Sequence, residues 1–133
     1  MEEREGSMET LGLTGLFNGA YAGRRVLVTG HTGFKGSWLA LWLQALGAQV
    51  AGFALPADTS PSHWLGLSLD LADETLADLV DRDAVNAALD RFQPELVFHL
   101  AAQPLVRRSY RDPARTFAVN VGGLVNLYEA IRA

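Results

Sequence analysis

Residues 29–36 read TGHTGFKG, placing glycines at 30, 33 and 36 between a short β-branched run and a long helical pattern. A helix N-terminus carries unpaired N–H groups and a partial positive charge. A pyrophosphate can settle there only if the backbone comes close. Gly30 permits a tight turn out of the strand, Gly33 lets the chain approach the phosphates, and Gly36 lets the helix pack closely. Three glycines alone are a weak signal. Their position directly after a buried strand and at the start of a helix gives it context. The chemistry read here is the seating of a dinucleotide.

Other residues carry chemistry with less certainty of role. Lys35 lies at a helix N-terminus, where a cation is unfavourable, so it is either a phosphate ligand or a solvated lysine. Gln103 follows a strand on the side where open sheets hold ligands, or it is a polar loop residue. Asn120 sits on an apolar helix face, as expected of an amide bridging backbone groups. Thr116 either reaches the ligand side or occupies the first turns of its helix. His99 reads as a satisfied core residue. His31, inside the glycine turn, is expected to face solvent or phosphate, and His63 has no evident role. Arg107, Arg108, Arg111 and Arg115 form a local basic patch, suited to a diphosphate or simply solvated. The three histidines show no metal spacing and cysteine is absent, so no metal site or disulfide is expected.

These residues need elements to hold them. VLVT at 26–29, AQVAGFAL at 48–55, TLADL at 75–79 and ELVFHLA at 95–101 read as strands. Helices are predicted over 33–46, 81–92 and 112–133, the last with Asp112 as cap and Pro113 in the first turn. Phe34, Trp38 and Trp42 form a stripe on the first helix. Gly47 stops that helix. Val85, Ala88, Leu89 and Phe92 should face inward on the second. On the third, the inward set is Phe117, Asn120 or Val121, Leu124, Leu127 or Tyr128, and Ile131. Residues 56–74 are loop, with room for a short helix capped by Ser60 or Ser62. Alternating strands and helices imply right-handed βαβ units. The expected fold is α/β, a Rossmann-like doubly wound parallel sheet of four strands in order 3-2-1-4, incomplete, with helices on both faces. Residues 1–20 read as a loose lead-in and 21–133 as the N-terminal part of a dinucleotide-binding Rossmann domain.

Bulk composition narrows the class. The 133 residues are 49% apolar and 20% charged, ordinary for a globular chain. A net charge of −4 argues against nucleic-acid partners. No apolar run reaches the ~18 residues that span a bilayer, and the acidic N-terminus lacks a signal-peptide pattern. A cytoplasmic protein is expected.

The glycine spacing differs from the common Gly-x-Gly-x-x-Gly fingerprint. TGHTGFKG resembles the extended short-chain dehydrogenase/reductases, the NAD-dependent epimerase/dehydratase family. HLAAQ (99–103) and TFAVNVGGLVNLYEA (116–130) are similar to that family's later segments. GHTGFKGSWL and AAQPLVRRSY narrow the resemblance to the CDP-glucose branch of its sugar-nucleotide 4,6-dehydratases. The resemblance implies NAD as cofactor, held by Gly30, Gly33, Phe34, Lys35 and Gly36 in the turn. Asp78 and Leu79 would meet the adenine. Leu100, Ala101, Ala102 and Gln103 would lie along the cofactor, with Thr116 and Asn120 on the last helix. It also implies a nucleotide-sugar substrate, a homo-oligomer, and a defined chemistry. The sugar C4 hydroxyl is oxidised, water leaves across C5 and C6, and the hydride returns to C6. NAD rather than NADP rests on the resemblance, because no acid precedes Asp58 after the second strand and no arginine replaces it.

The family's Tyr-x-x-x-Lys pair does not occur. Lys35 is the sole lysine, and Tyr110 and Tyr128 are followed four residues later by Ala114 and Arg132. No catalytic residue is therefore assigned. The expectation is the N-terminal part of a dehydratase, inactive alone. The rival readings are a non-catalytic dinucleotide-binding or oligomerisation module, and an epimerase or reductase of the same family.

Overall fold

The computed structural model describes residues 13–133. Most of the predicted lead-in lies outside the described residues. Its last part, Leu13–Gly19, forms two short turns of 3-10 helix broken at Leu16–Asn18.

Four parallel strands form one sheet in the order β3-β2-β1-β4. They are β1 (Arg25–Thr29), β2 (Gln49–Ala54), β3 (Asp73–Leu76) and β4 (Leu96–His99). The register pairs Val28 with Gly52 and with Phe98, and Thr29 with Phe53 and with His99. Helices α1 (Phe34–Ala45) and α2 (His63–Leu67) cover one face. There Val26, Val28 and Val50 pack with Ala40 and Leu43. Helices α3 (Arg82–Phe92) and α6 (Leu124–Arg132) cover the other, around Leu27, Ala51, Phe53, Val85, Leu89 and Leu127. β1 is buried on both sides because its side chains alternate between these two cores. The expected α/β class, strand order and two-sided helical cover are all present.

The caps follow the sequence. Asp81 accepts the Ala84 N–H and begins α3, and Ser62 accepts from Leu65 and begins α2. Asp112 accepts the Arg115 N–H and begins α5 (Pro113–Phe117) with proline in the first turn. Gly47 adopts φ +86 after α1.

Four expectations need correction. β3 is Asp73–Leu76, not 75–79. Its two acids look like turn residues, but Arg91 takes Asp73 at 3.0 and 2.7 Å and His31 takes Glu74 at 2.8 Å. Charges so partnered can occupy a strand. The α1 stripe points outward: Phe34, Trp38 and Trp42 are 70%, 50% and 49% exposed, while Gly36, Ser37, Ala40 and Leu43 face the sheet. The helix lies too close to the glycine turn for large side chains there. Residues Val106–Arg111 form a helix, α4, that periodicity did not indicate. The last helix contains a π turn, Ala118–Gly123, between α5 and α6. Asn120 and Leu127 keep their inward places, whereas Phe117, Val121, Tyr128 and Ile131 are exposed.

Candidate functional site

The glycine turn, the β3 exit and the β4 exit all lie at the carboxyl ends of the strands, where open α/β sheets hold ligands. Gly30 has φ +77, and a Cβ there would stand 2.7 Å from the Ala101 nitrogen. A Cβ on Gly36 would overlap the Gly30 carbonyl oxygen. Gly36 thus packs on the turn itself, a closer fit than the helix-on-sheet contact expected from sequence. Gly33 is different. It is exposed, its φ is −77, and it serves as N-cap with no side chain bonded to the helix amides. Lys35 is exposed beside it and makes no ion pair among the described residues. An uncapped, glycine-lined helix start with a neighbouring cation fits a diphosphate.

Thr29 ties this turn to the β4 exit. Its Oγ1 accepts from the N–H groups of Leu100 at 3.1 Å and Ala101 at 3.2 Å. A hydroxyl with both lone pairs engaged has only its proton left to give. That proton goes to His99 Nδ1, 2.7 Å away. His99 is therefore neutral with its own proton on Nε2, and burial lowers its pKa. Its Nδ1 is satisfied as expected, but the ring is half-buried on an edge strand and not in the core.

His31 departs from expectation. It faces neither solvent nor phosphate but is wholly buried, with Nε2 on Glu74 Oε1 at 2.8 Å. Its ring stands edge-on to Trp64 with centroids 4.7 Å apart. Gly52 makes this possible, since a Cβ there would lie 2.5 Å from the imidazole. Burial lowers the His31 pKa, opposed by the hydrogen bond and charge of Glu74. A lone glycine within a strand signals close approach of another group. Gly52 is thus the sequence's own clue to His31. His63 also has partners: Nδ1 meets Ser37 Oγ at 2.7 Å and its ring stacks on Trp38.

The β4 exit leads into a polar network. The Gln103 N–H donates to Asn120 Oδ1 at 2.8 Å, and Asn120 Nδ2 donates back to the Gln103 carbonyl at 3.2 Å. Gln103 Nε2 reaches Thr116 Oγ1 at 3.2 Å. Three of the sequence-derived residues therefore meet directly, and Asn120 does bridge backbone groups. Leu100 and Ala102 are exposed and Ala101 half-buried beside Gly30. At the β3 exit Asp78 pairs with Arg115 and accepts the Val80 N–H at 3.1 Å. Leu79 is buried in the core. After β2 come Leu55 and Pro56, and the first acid is the exposed Asp58, so no carboxylate stands where a ribose partner is usual. Of the basic patch, Arg107, Arg108 and Arg111 line an open groove of about 400 Å³ with Leu105 and Val106, while Arg115 turns to Asp78. Among the described residues no three potential ligands gather as a metal site. Among them, too, no helix is long and apolar enough to cross a membrane.

The chain is similar to known proteins in sequence and fold. The sequence profile of GDP-mannose 4,6 dehydratase matches residues 27–133. CDP-glucose 4,6-dehydratase of Salmonella typhimurium is 50% identical over 84% of this chain and 32% of its own length. UDP-glucose 4-epimerase of Mycolicibacterium smegmatis is 42% identical over 81% of this chain and 34% of its own. The crystal structure of Thermus thermophilus UDP-glucose 4-epimerase in complex with NAD superimposes with a TM-score of 0.71 at 37% identity, covering 81% of this chain and 33% of that one. The chain spans about a third of the length of the curated relatives it matches. With the glycine turn, the parallel sheet and these matches in agreement, the chain belongs to the GDP-mannose 4,6-dehydratase family.

Proposed function

We propose that this chain is the NAD-binding portion of a sugar-nucleotide 4,6-dehydratase whose substrate is CDP-glucose. The observation that carries the reading is the turn at Gly30, Gly33 and Gly36: two glycines are fixed by packing, and the third leaves an uncapped helix start open. The 50% identity to a CDP-glucose 4,6-dehydratase supports the choice of substrate. Bound NAD supplies a reversible hydride acceptor. The chain's own residues do the holding. The first amides of α1 and Lys35 take the diphosphate, Thr29 keeps Leu100 and Ala101 against the turn, and the Gln103–Asn120 pair fixes the loop beyond. No Tyr-x-x-x-Lys pair is present, so these 133 residues by themselves bind and do not turn over. The native-length protein acts as a homo-oligomer.

Calorimetric titration of NAD and NADP into the native-length protein tests the cofactor, and NMR of its product from CDP-glucose tests the reaction. A preference for NAD and a 4-keto-6-deoxy product are expected. A C4-epimerised hexose as product would replace the dehydratase reading with the epimerase one. Absence of binding by either dinucleotide would overturn both.

A further inference from the structure

Of residues 30–33, His31 alone is buried. Its side chain leaves the turn after β1, lies over Gly52 on β2 and ends on Glu74 of β3, the register partner of Gly52. Burial holds the His31 pKa below its ordinary 6.5, so the ring is neutral at about pH 7. An ionised carboxylate only accepts, which places the single imidazole proton on Nε2. Nδ1 is then a bare acceptor. Among the described residues it is the one buried side-chain atom without a hydrogen bond. An orphaned buried polar atom costs stability. An apolar ring of similar size would fill the space over Gly52 without that cost. It would lack the directional bond to Glu74 Oε1 at 2.8 Å. That bond is what the histidine contributes.

The turn needs such a contribution. Glycine brings backbone freedom, and amides that meet a diphosphate bind it best when already held in place. Backbone bonds hold the two ends: the Gly30 N–H donates to the Phe53 carbonyl at 2.8 Å and the Gly33 N–H to that of Gly30 at 3.1 Å. Between them the His31 ring is held by Glu74 and, edge-on, by Trp64 of α2. Against the same residue α1 presents Gly36 and β2 presents Gly52, so Glu74 is the charged group that acts on it. We propose that Glu74 is a positioning residue for the cofactor: from across β2, through His31, it holds the glycine turn in the shape that takes a diphosphate. This rests on the reading of that turn as the seat of a dinucleotide.

The test measures NAD dissociation constants and ligand-free melting temperatures for the native-length protein and for variants at two positions. Glu74→Ala removes the acceptor, and Glu74→Gln leaves an amide oxygen in its place. Val85→Ala hollows the core on the opposite face of the sheet. Glu74→Ala should weaken NAD binding by about tenfold, the worth of one hydrogen bond to a charged group. Glu74→Gln should return affinity to within about threefold of the unaltered protein. Val85→Ala should lower the melting temperature at least as far as Glu74→Ala, yet leave affinity within about twofold. A merely structural role for Glu74 would not separate the two. Should Glu74→Ala fail to fold, Glu74→Asp, whose carboxylate falls one methylene short, is judged by the same comparison. The proposal falls if Glu74→Ala binds NAD as tightly as the unaltered protein, if Glu74→Gln restores nothing, or if Val85→Ala weakens binding equally. In each of those cases the unaltered protein still binds NAD and the reading of the turn stands. If the unaltered protein binds no NAD, that reading fails and the proposal with it.

Discussion

Gly33 and Gly36 stand three residues apart on one turn and answer to different demands. A methyl at Gly36 would overlap the Gly30 carbonyl oxygen, while at Gly33 it meets the same atom at 3.3 Å with an ordinary φ. Gly36→Ala should therefore destabilise the fold by about 1–3 kcal/mol, as overpacking does. Gly33→Ala should stay within about 0.5 kcal/mol yet weaken NAD binding by about tenfold, because the lost property is access to the helix amides. Urea unfolding and NAD titration separate the two effects. Equal losses of stability would contradict the division of roles. At this scale the sequence shows where the glycines stand and why Gly30 must be glycine. It does not show that Gly36 packs on the turn, nor that His31 turns inward. Both depend on a partner elsewhere: Gly30's carbonyl across the helix start, and Gly52 on the neighbouring strand.

The last helix illustrates what periodicity can and cannot reach at the level of elements. Asp112 and Pro113 mark its start, and the inward Asn120 and Leu127 are legible. The π turn at Ala118–Gly123 is not, and residues assigned to the inner face by a regular repeat, Phe117 and Val121 among them, lie outside. The start of β3 at Asp73, two residues before the predicted 75, eludes a sequence reading for an electrostatic reason, because its acids are answered by Arg91 and His31 from elsewhere in the chain. Two adjacent glycines test the π segment. Gly122 has nothing within 4 Å of an added Cβ, so Gly122→Ala should stabilise by about 0.5–1 kcal/mol. Gly123 presses on Leu79, so Gly123→Ala should cost about 1–3 kcal/mol and loosen the β3 exit. Opposite signs in denaturant midpoints are expected. A loss at both positions would mean that the π turn itself requires Gly122.

At the scale of the whole molecule, the sheet order is legible because short parallel βαβ units leave few alternatives. Exposure of whole faces is not, because it depends on what packs where. β4 lies at the sheet edge with Leu96 partly exposed, and the last helix presents Phe117, Val121, Val125 and Tyr128 outward. An isolated 133-residue chain should therefore self-associate, giving a light-scattering mass above 14.4 kDa. A monodisperse monomer with a sharp unfolding transition would contradict this. Its stability should also depend on pH in a defined direction. His31 and His99 both fall below their ordinary 6.5 when folded, chiefly through burial. The unfolded chain then takes up protons first as pH falls. The stability they contribute is complete above 6.5 and is lost as pH drops below it toward their folded values. Unfolding free energies should be lower at about pH 5.5 than at about 7.5, and His31→Gln should reduce the difference. Equal or greater stability at the lower pH would contradict the burial argument.

The imidazole of His31, in the turn after β1, and the bare α-carbon of Gly52, on β2, share a single volume. Changes at the two positions are therefore not interchangeable in order. A lineage that first trims residue 31 to alanine opens space, and a later Gly52→Ala can fill it. One that enlarges residue 52 first must pass through a clash with the ring before relief arrives. The pair should show sign epistasis: Gly52→Ala is harmful beside histidine and favourable beside alanine, a reversal that four melting curves would reveal.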